Sequence, residues 1–258
     1  MTDRQELSGR VAVVTGGTRG VGAGIVRALL AAGAEVVAAA RRPPAEAVES
    51  AGRKAEFRPL DVRDPDAGQA LLAAVAADHG RLDLLVNNAG GTPYLPLAEG
   101  EASRHRRILE LNLLAPLLLS RAAHEVMSGQ PDGGGIVMIG SVSGQRPSPG
   151  SAAYGAAKAG LDHLARTLAV EWAPAVRVNT LVLGMVRTES AQLHYGDEEG
   201  IAAVSRTVPL GRLARPEEVG EACVFLASPR AAYISGASLL LHGGGERPAF
   251  LDAATANH

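Results

Sequence analysis

The sequence predicts an α/β fold, a doubly wound parallel sheet with helices on both faces. Three observations carry this. Short β-rich runs alternate with longer Ala/Leu-rich runs along nearly the whole chain. The short runs are continuously apolar, as strands covered by helices on both faces are. The chain has 258 residues, 47% of them apolar, with no composition break that would mark a linker. One domain over 1–258 is therefore expected, with its core over about 8–245 and a tail at 246–258.

Taken in order, VAVVT (11–15) predicts a strand and VGAGIVRALLAAG (21–33) a helix. EVVAA (35–39) and AEFRPL (55–60) predict strands, and DPDAGQALLAAVAADHG (64–80) a helix. LDLLVN (82–87) is a strand, followed by a long helical region from about 100 to 128. IVMIG (136–140) is a strand and SAAYGAAKAGLDHLARTLAVEW (151–172) a helix; VRVNTLV (176–182) and SLLL (238–241) complete the set. Right-handed crossovers between such strands build the sheet, which binds ligands at its carboxyl edge. The loops after Val14, Ala40, Asn87, Ile139 and Val182 are thus expected to carry the chemistry.

Formal net charge is −2 with no long run of one sign, which argues against nucleic-acid and polybasic membrane partners. The single cysteine, Cys223 in EACVFLA, reads as a core residue, and no Cys/His spacing suits a metal. The opening MTDRQELSGR is polar, without the apolar region of an export signal. No apolar run reaches the roughly 18 residues of a membrane span. A cytoplasmic protein is expected, weakly structured up to Leu7 and beyond Pro248.

The first strand runs into TGGTRGVGAGIV, with Gly16, Gly20 and Gly22 where strand turns into helix. Such a turn brings backbone N–H groups to a pyrophosphate, so the pattern points to a dinucleotide. An acid after the second strand would bond the ribose 2′-hydroxyl of NAD. Here the strand ends VVAAARRPP, placing Arg41 and Arg42 there instead. Guanidinium groups suit a 2′-phosphate, with Arg19 of the glycine loop as a third contact. NADP(H) is the cofactor expected over NAD(H), although Arg42 reads equally well as a solvated surface residue.

Tyr154 and Lys158 lie four apart, on one helix face. A free phenol titrates near pH 10, and a nearby ammonium favours phenolate, making the tyrosine a usable proton relay. Ser141, at the end of IVMIG, is placed to donate to a substrate carbonyl oxygen; Ser143 lies farther from the strand end. In LELNLLAPLLLS, Pro116 has no N–H for the carbonyl of Asn112, which is left to accept from a relay water or simply marks a kink.

Together TGGTRGVG, NNAG (87–90), Asn112, Ser141 and YGAAK (154–158) resemble the short-chain dehydrogenase/reductase family, in its single-domain branch that includes 3-oxoacyl-(acyl carrier protein) reductase-like members. The likeness runs from Val11 to about Gly245. It implies a Rossmann-type sheet of about seven strands and reversible hydride transfer between nicotinamide and a carbonyl or alcohol substrate. Tyr154 would be the general acid/base, Lys158 would bond the nicotinamide ribose, Ser141 would orient substrate, and Asn112 would hold the relay water. Gly16, Arg19, Gly20, Val21 and Gly22 would surround the phosphates. Asp61 and Val62, in PLDV, would meet the adenine, with Asn88, Ala89 and Gly90 beside the adenosine. Val186 and Thr188 would meet the carboxamide. A homotetramer, or a dimer, packed through the helices bearing Asn112 and Tyr154 is also implied.

There are departures. Leu183, in NTLVLGMVRT, replaces a proline common in the family, and His242 a frequent aspartate. A cofactor-binding redox sensor without catalysis is the alternative class; loss of Tyr154 or Lys158 would mark it, and both are present. The substrate pocket is expected from 91–97, 144–150 and a lid over 189–209. Met185, Leu193, Tyr94 and Tyr195 are candidates for its apolar wall, with Arg146 or Arg187 for an anionic group. Acyl thioesters, polyketides, steroids, sugars and simple ketones all remain open.

Overall fold

The computed structural model describes residues 5–253. Seven parallel strands form one sheet: β1 (Val11–Thr15), β2 (Glu35–Ala40), β5 (Glu56–Pro59), β6 (Leu84–Asn87), β7 (Gly134–Ser141), β8 (Val176–Leu183) and β9 (Ser238–Leu241). Their order across the sheet is β5-β2-β1-β6-β7-β8-β9, a Rossmann-type arrangement. The order reverses at β1, so the crevice between the loops after β1 and β6 is the natural ligand seat. A two-stranded hairpin, β3 (Glu49–Ser50) with β4 (Arg53–Lys54), stands apart from the main sheet.

Alternate side chains of each strand go to opposite faces, which makes two cores. On one face Ala12, Val14, Val86 and Ile139 pack under α1 (Gly20–Ala31) and α8 (Pro216–Ala227). On the other Val13, Leu85, Ile136 and Met138 pack under α2 (Pro65–His79), α4 (Ala115–Met127) and α5 (Ala152–Glu171). Local signals set the helix ends. Asp64 accepts from the Ala67 N–H at 3.0 Å and Pro65 opens α2, while Gly80, at φ 76°, closes it.

The helical region from about 100 to 128 is not continuous. α3 (Ala102–Leu109) passes through a π turn at Glu110–Leu114 into α4, with the Ala115 N–H bonded to Glu110 O. Pro116, which has no N–H to give, follows directly. The expected lid is helical: α6 (Gln192–Tyr195) and α7 (Glu198–Thr207). Among the described residues the flanks carry more structure than the sequence suggests. Leu7 is buried and its N–H bonds Ala32 O at 2.9 Å, and Ala249–Ala253 form α9. The tail expected to reach 258 lies outside the described residues beyond 253. Cys223 is fully buried in the core, and burial raises its thiol pKa. Among the described residues no helix is long and apolar enough to cross a membrane.

Candidate active site

Ser141 is the last residue of β7, and Tyr154 lies in the first turn of α5. Ser141 is near enough to the Tyr154 phenol to favour its ionised form. A short helical turn, Val142–Gly144, carries the chain away from Ser141, whose Oγ accepts from the Ser143 N–H at 3.2 Å. α5 packs closely on this turn because its residues there are small: a Cβ on Gly155 would fall 2.7 Å from Ser143 O. One turn further, Lys158 is buried, its Nζ 5.5 Å from the centre of the Tyr154 ring.

The electrostatics differ from the expectation in one respect. Burial raises the Tyr154 pKa, the hydrogen bond from Ser141 opposes it, and neighbouring Tyr195 adds to the rise. The Lys158 ammonium donates to the Ile139 carbonyl of β7 at 2.8 Å. Burial pulls Lys158 itself down to about 8. The resting arrangement is thus a neutral phenol above a weakened ammonium.

Asn112 is fully buried in the π turn. Its amide accepts from Gly91 N–H at 2.9 Å and donates to Gly91 O at 3.0 Å and Ile108 O at 2.9 Å. The side chain therefore clamps the loop after β6. A Cβ at Gly90 would lie 2.7 Å from Asn112 Oδ1 and 3.4 Å from Lys158 Nζ, so these three residues converge.

The glycine loop meets the β6 loop through Thr15, whose Oγ1 accepts from the N–H groups of Asn88 and Ala89, each at 3.0 Å. Asn88 Nδ2 returns a bond to Thr15 O at 2.8 Å. Gly22 has no room for a side chain: a Cβ would lie 2.1 Å from Gly16 O. Arg19 and Thr18 line a cleft of about 420 Å³ that continues past Gly20 to Thr188. Arg41 and Arg42 are exposed and form no ion pair among the described residues. Asp61 is engaged by Arg63, whose Nε lies 3.0 Å from its carboxylate; hydrogen bonds from Arg63 hold the acid down at about 2. Val62 is buried and Val186 bridges to Ala214.

A family profile described as enoyl-(acyl carrier protein) reductase matches residues 16–246. The chain is 40% identical over 241 residues to cis-4-hydroxycyclohexanecarboxylate dehydrogenase of Sinomonas cyclohexanicum, covering 91% of this chain and 96% of that protein. It is 37% identical over 241 residues to the 3-oxoacyl-(acyl-carrier-protein) reductase of Vibrio cholerae, covering 92% and 98%. A solved structure of a putative short-chain alcohol dehydrogenase from Sinorhizobium meliloti superposes with a TM-score of 0.84 at 34% identity, covering 93% of this chain and 97% of that one. The chain belongs to the short-chain dehydrogenase/reductase family.

This short-chain dehydrogenase/reductase is accordingly an oxidoreductase, and its fold brings the sequence-predicted residues to one edge of the sheet. Ser141, Tyr154 and Lys158 meet directly, with Asn112 and Gly90 beside Lys158. Thr15 and Arg63 were missed. Thr15 ends the first strand, where a hydroxyl is suited to join loops, and Arg63 stands two residues from Asp61; both signals were readable. Met185 and Tyr195 pack with the lid core of Ala191, Ile201, Val208 and Leu213. Leu193 and Tyr94 do not join them: they are 84% and 77% exposed.

Proposed function

We propose that the chain interconverts a carbonyl and a secondary alcohol with NADP(H), through Ser141, Tyr154, Lys158 and Asn112. The convergence of Ser141 and Tyr154 at the carboxyl edge of the sheet, with Lys158 Nζ 5.5 Å from the tyrosine ring, carries this reading.

The glycine turn at Gly16, Gly20 and Gly22, which packs too tightly at Gly22 for any side chain and leads into the N-terminus of α1, would hold a pyrophosphate. Arg19 and Val21 flank it, and the free guanidinium groups of Arg41 and Arg42 suit a 2′-phosphate. Asp61 and Val62 would border the adenine, Asn88, Ala89 and Gly90 the adenosine, and Val186 and Thr188 the carboxamide. When bound, the nicotinamide supplies or takes up the hydride.

Ser141 donates to the substrate oxygen and holds it beside the phenol. Burial keeps that phenol protonated, so Tyr154 delivers its proton to the oxygen during reduction. The Lys158 ammonium stabilises the phenolate left behind. Asn112 keeps the β6 loop in place beside Lys158 and serves the relay that returns the proton. The same reading takes the chain as one cytoplasmic domain acting as a homo-oligomer through α4 and α5, which expose Leu117 and Val170.

Titrating the wild type, Tyr154→Phe and Arg41→Ala with NADPH and NADH, followed by nicotinamide fluorescence and then by turnover, tests the proposal. NADPH should bind the wild type more tightly, and Tyr154→Phe should keep that binding and lose carbonyl reduction. Arg41→Ala should weaken NADPH by about 1.5–3 kcal/mol, the worth of a charged hydrogen bond, and leave NADH little changed. Robust turnover by Tyr154→Phe would overturn the mechanism, and equal losses for both cofactors would remove Arg41 from the 2′-phosphate.

A further inference from the structure

Carbonyl reduction by Ser141 and Tyr154 leaves a cation in the loop beside Ser141 without a role. Arg146 stands in the loop that follows β7, beyond Ser141. Its Nη1 donates to Pro147 O at 3.1 Å, and its Nη2 pairs with the carboxylate of Glu246 from the C-terminal segment. Tyr195 of the lid is within electrostatic reach of both Arg146 and Glu246, and of the Tyr154 phenol. The Arg146 N–H bonds Val142 O at 3.1 Å, which sets Arg146 one turn beyond Ser141 at the carboxyl edge of the sheet.

Glu246 reaches Arg146 over three consecutive glycines, Gly243, Gly244 and Gly245, all at positive φ (64°, 96° and 91°). The pair is partly solvated, with side chains 40% and 34% exposed, and such pairs contribute little net stability. Exchange of Glu246 for another carboxylate on Arg146 therefore costs little. The segment is also joined to the lid: Arg247 N–H donates to Thr207 O, the last residue of α7, at 2.9 Å. Arg187, which lines the cleft on both the glycine-loop and the lid side, is held by both oxygens of Glu198 at 3.0 and 2.8 Å. Arg146 is the cation in the loop that directly follows Ser141.

We propose that Arg146 anchors a substrate carboxylate, so that the chain acts on keto acids and hydroxy acids, and that Glu246 is the resident carboxylate the substrate displaces. This rests on the carbonyl reduction proposed above. Because the Glu246 segment is bonded to α7, arrival of the substrate at Arg146 also releases the end of a strap attached to the lid.

Initial rates with NADPH on two matched pairs test this: 4-oxocyclohexanecarboxylate against its carboxamide, and 3-oxohexanoate against its ethyl ester. The ratio of kcat/KM should favour the carboxylate by about ten- to hundredfold, the range that one charge-assisted hydrogen bond supplies. Arg146→Met should bring that ratio close to parity, and Glu246→Gln should raise it by removing the competitor. Neutral ketones reduced as well as carboxylates, or a preference that survives Arg146→Met, overturns the anchor and leaves carbonyl reduction standing. If neither member of either pair is reduced, the reduction reading fails, and calorimetry with cyclohexanecarboxylate decides the anchor alone. Binding by the wild type that is lost in Arg146→Met upholds it; no binding by the wild type overturns it.

Discussion

Lys158 shows what burial does to a charge when the chemistry needs that charge. Buried, and bonded to a strand carbonyl, it is pulled down to about 8 because burial disfavours the ammonium. Its native value lies below that of the unfolded chain, so the folded protein gains stability as pH rises from about 8 towards 10.4, the free-lysine value. Under the proposed mechanism activity runs the other way, since only the ammonium stabilises a phenolate. We predict that kcat/KM for carbonyl reduction falls as pH rises through about 8, and that Lys158→Met abolishes this alkaline limb along with most of the rate. A limb near pH 10 in the wild type would assign it to another group. The spacing of Tyr154 and Lys158 was legible because two residues four apart on a helix must share a face. The carbonyl that Lys158 chooses was not, since it comes from a different element, 19 residues earlier.

At the scale of elements, the strands follow the sequence closely because each is a short apolar run with a turn signal at its end. The π turn at Glu110–Leu114 does not: periodicity reads straight through it, and only the missing N–H of Pro116 hints at the break. That turn is what sets Asn112 against Gly91. Helix ends depend on distant partners too. Arg177, at the start of β8, donates to Leu226 O at 2.9 Å, Ala231 O at 3.0 Å and Ile234 O at 3.2 Å. It thereby closes the C-terminal end of α8, where a cation also suits the helix dipole. Arg177→Met should leave those carbonyls short of a donor and lower stability by about 2–3 kcal/mol in urea unfolding. KM for substrate and cofactor should stay near wild type, because Arg177 lies at the edge of the sheet opposite Ser141. A loss of cofactor affinity without a loss of stability would contradict this division.

The whole molecule separates chemistry from anchoring along the strand direction. The carboxyl edge carries the glycine loop, Ser141 and the lid, while the amino edge is tied by charge. Arg10 and Arg81 each reach Asp83 at 2.7 Å, Asp132 joins both arginines, and Asp83 accepts the Val11 N–H at 2.9 Å. Burial pushes the Asp83 carboxyl up, but the bonds from Arg81, Val11 and Arg10 outweigh it and hold it below the usual range. A depressed carboxylate contributes stability above its unfolded value, near 3.9, and loses it as pH falls through the native value. Asp83→Asn should therefore cost about 1–3 kcal/mol near neutral pH, converging with the wild type in strong acid, with turnover preserved. A difference between the two that is the same at all pH values would place the effect in packing rather than charge.

The sequence by itself left α8 and the β3–β4 hairpin unread. It determined the order of the main-sheet strands, the helices that lie between them up to α5, the carboxyl-edge loops, and the candidate residues of the site. These depend on neighbours within one or two turns of chain, and local periodicity records such neighbours. Tertiary structure decided which charges are spent and which are free. Arg41 and Arg42 stand unpaired among the described residues, whereas Arg63 is held by Asp61, Arg187 by Glu198, and Arg146 by a glutamate 100 residues away. An ion pair depends on distance through space, and that distance exists only once the chain has folded.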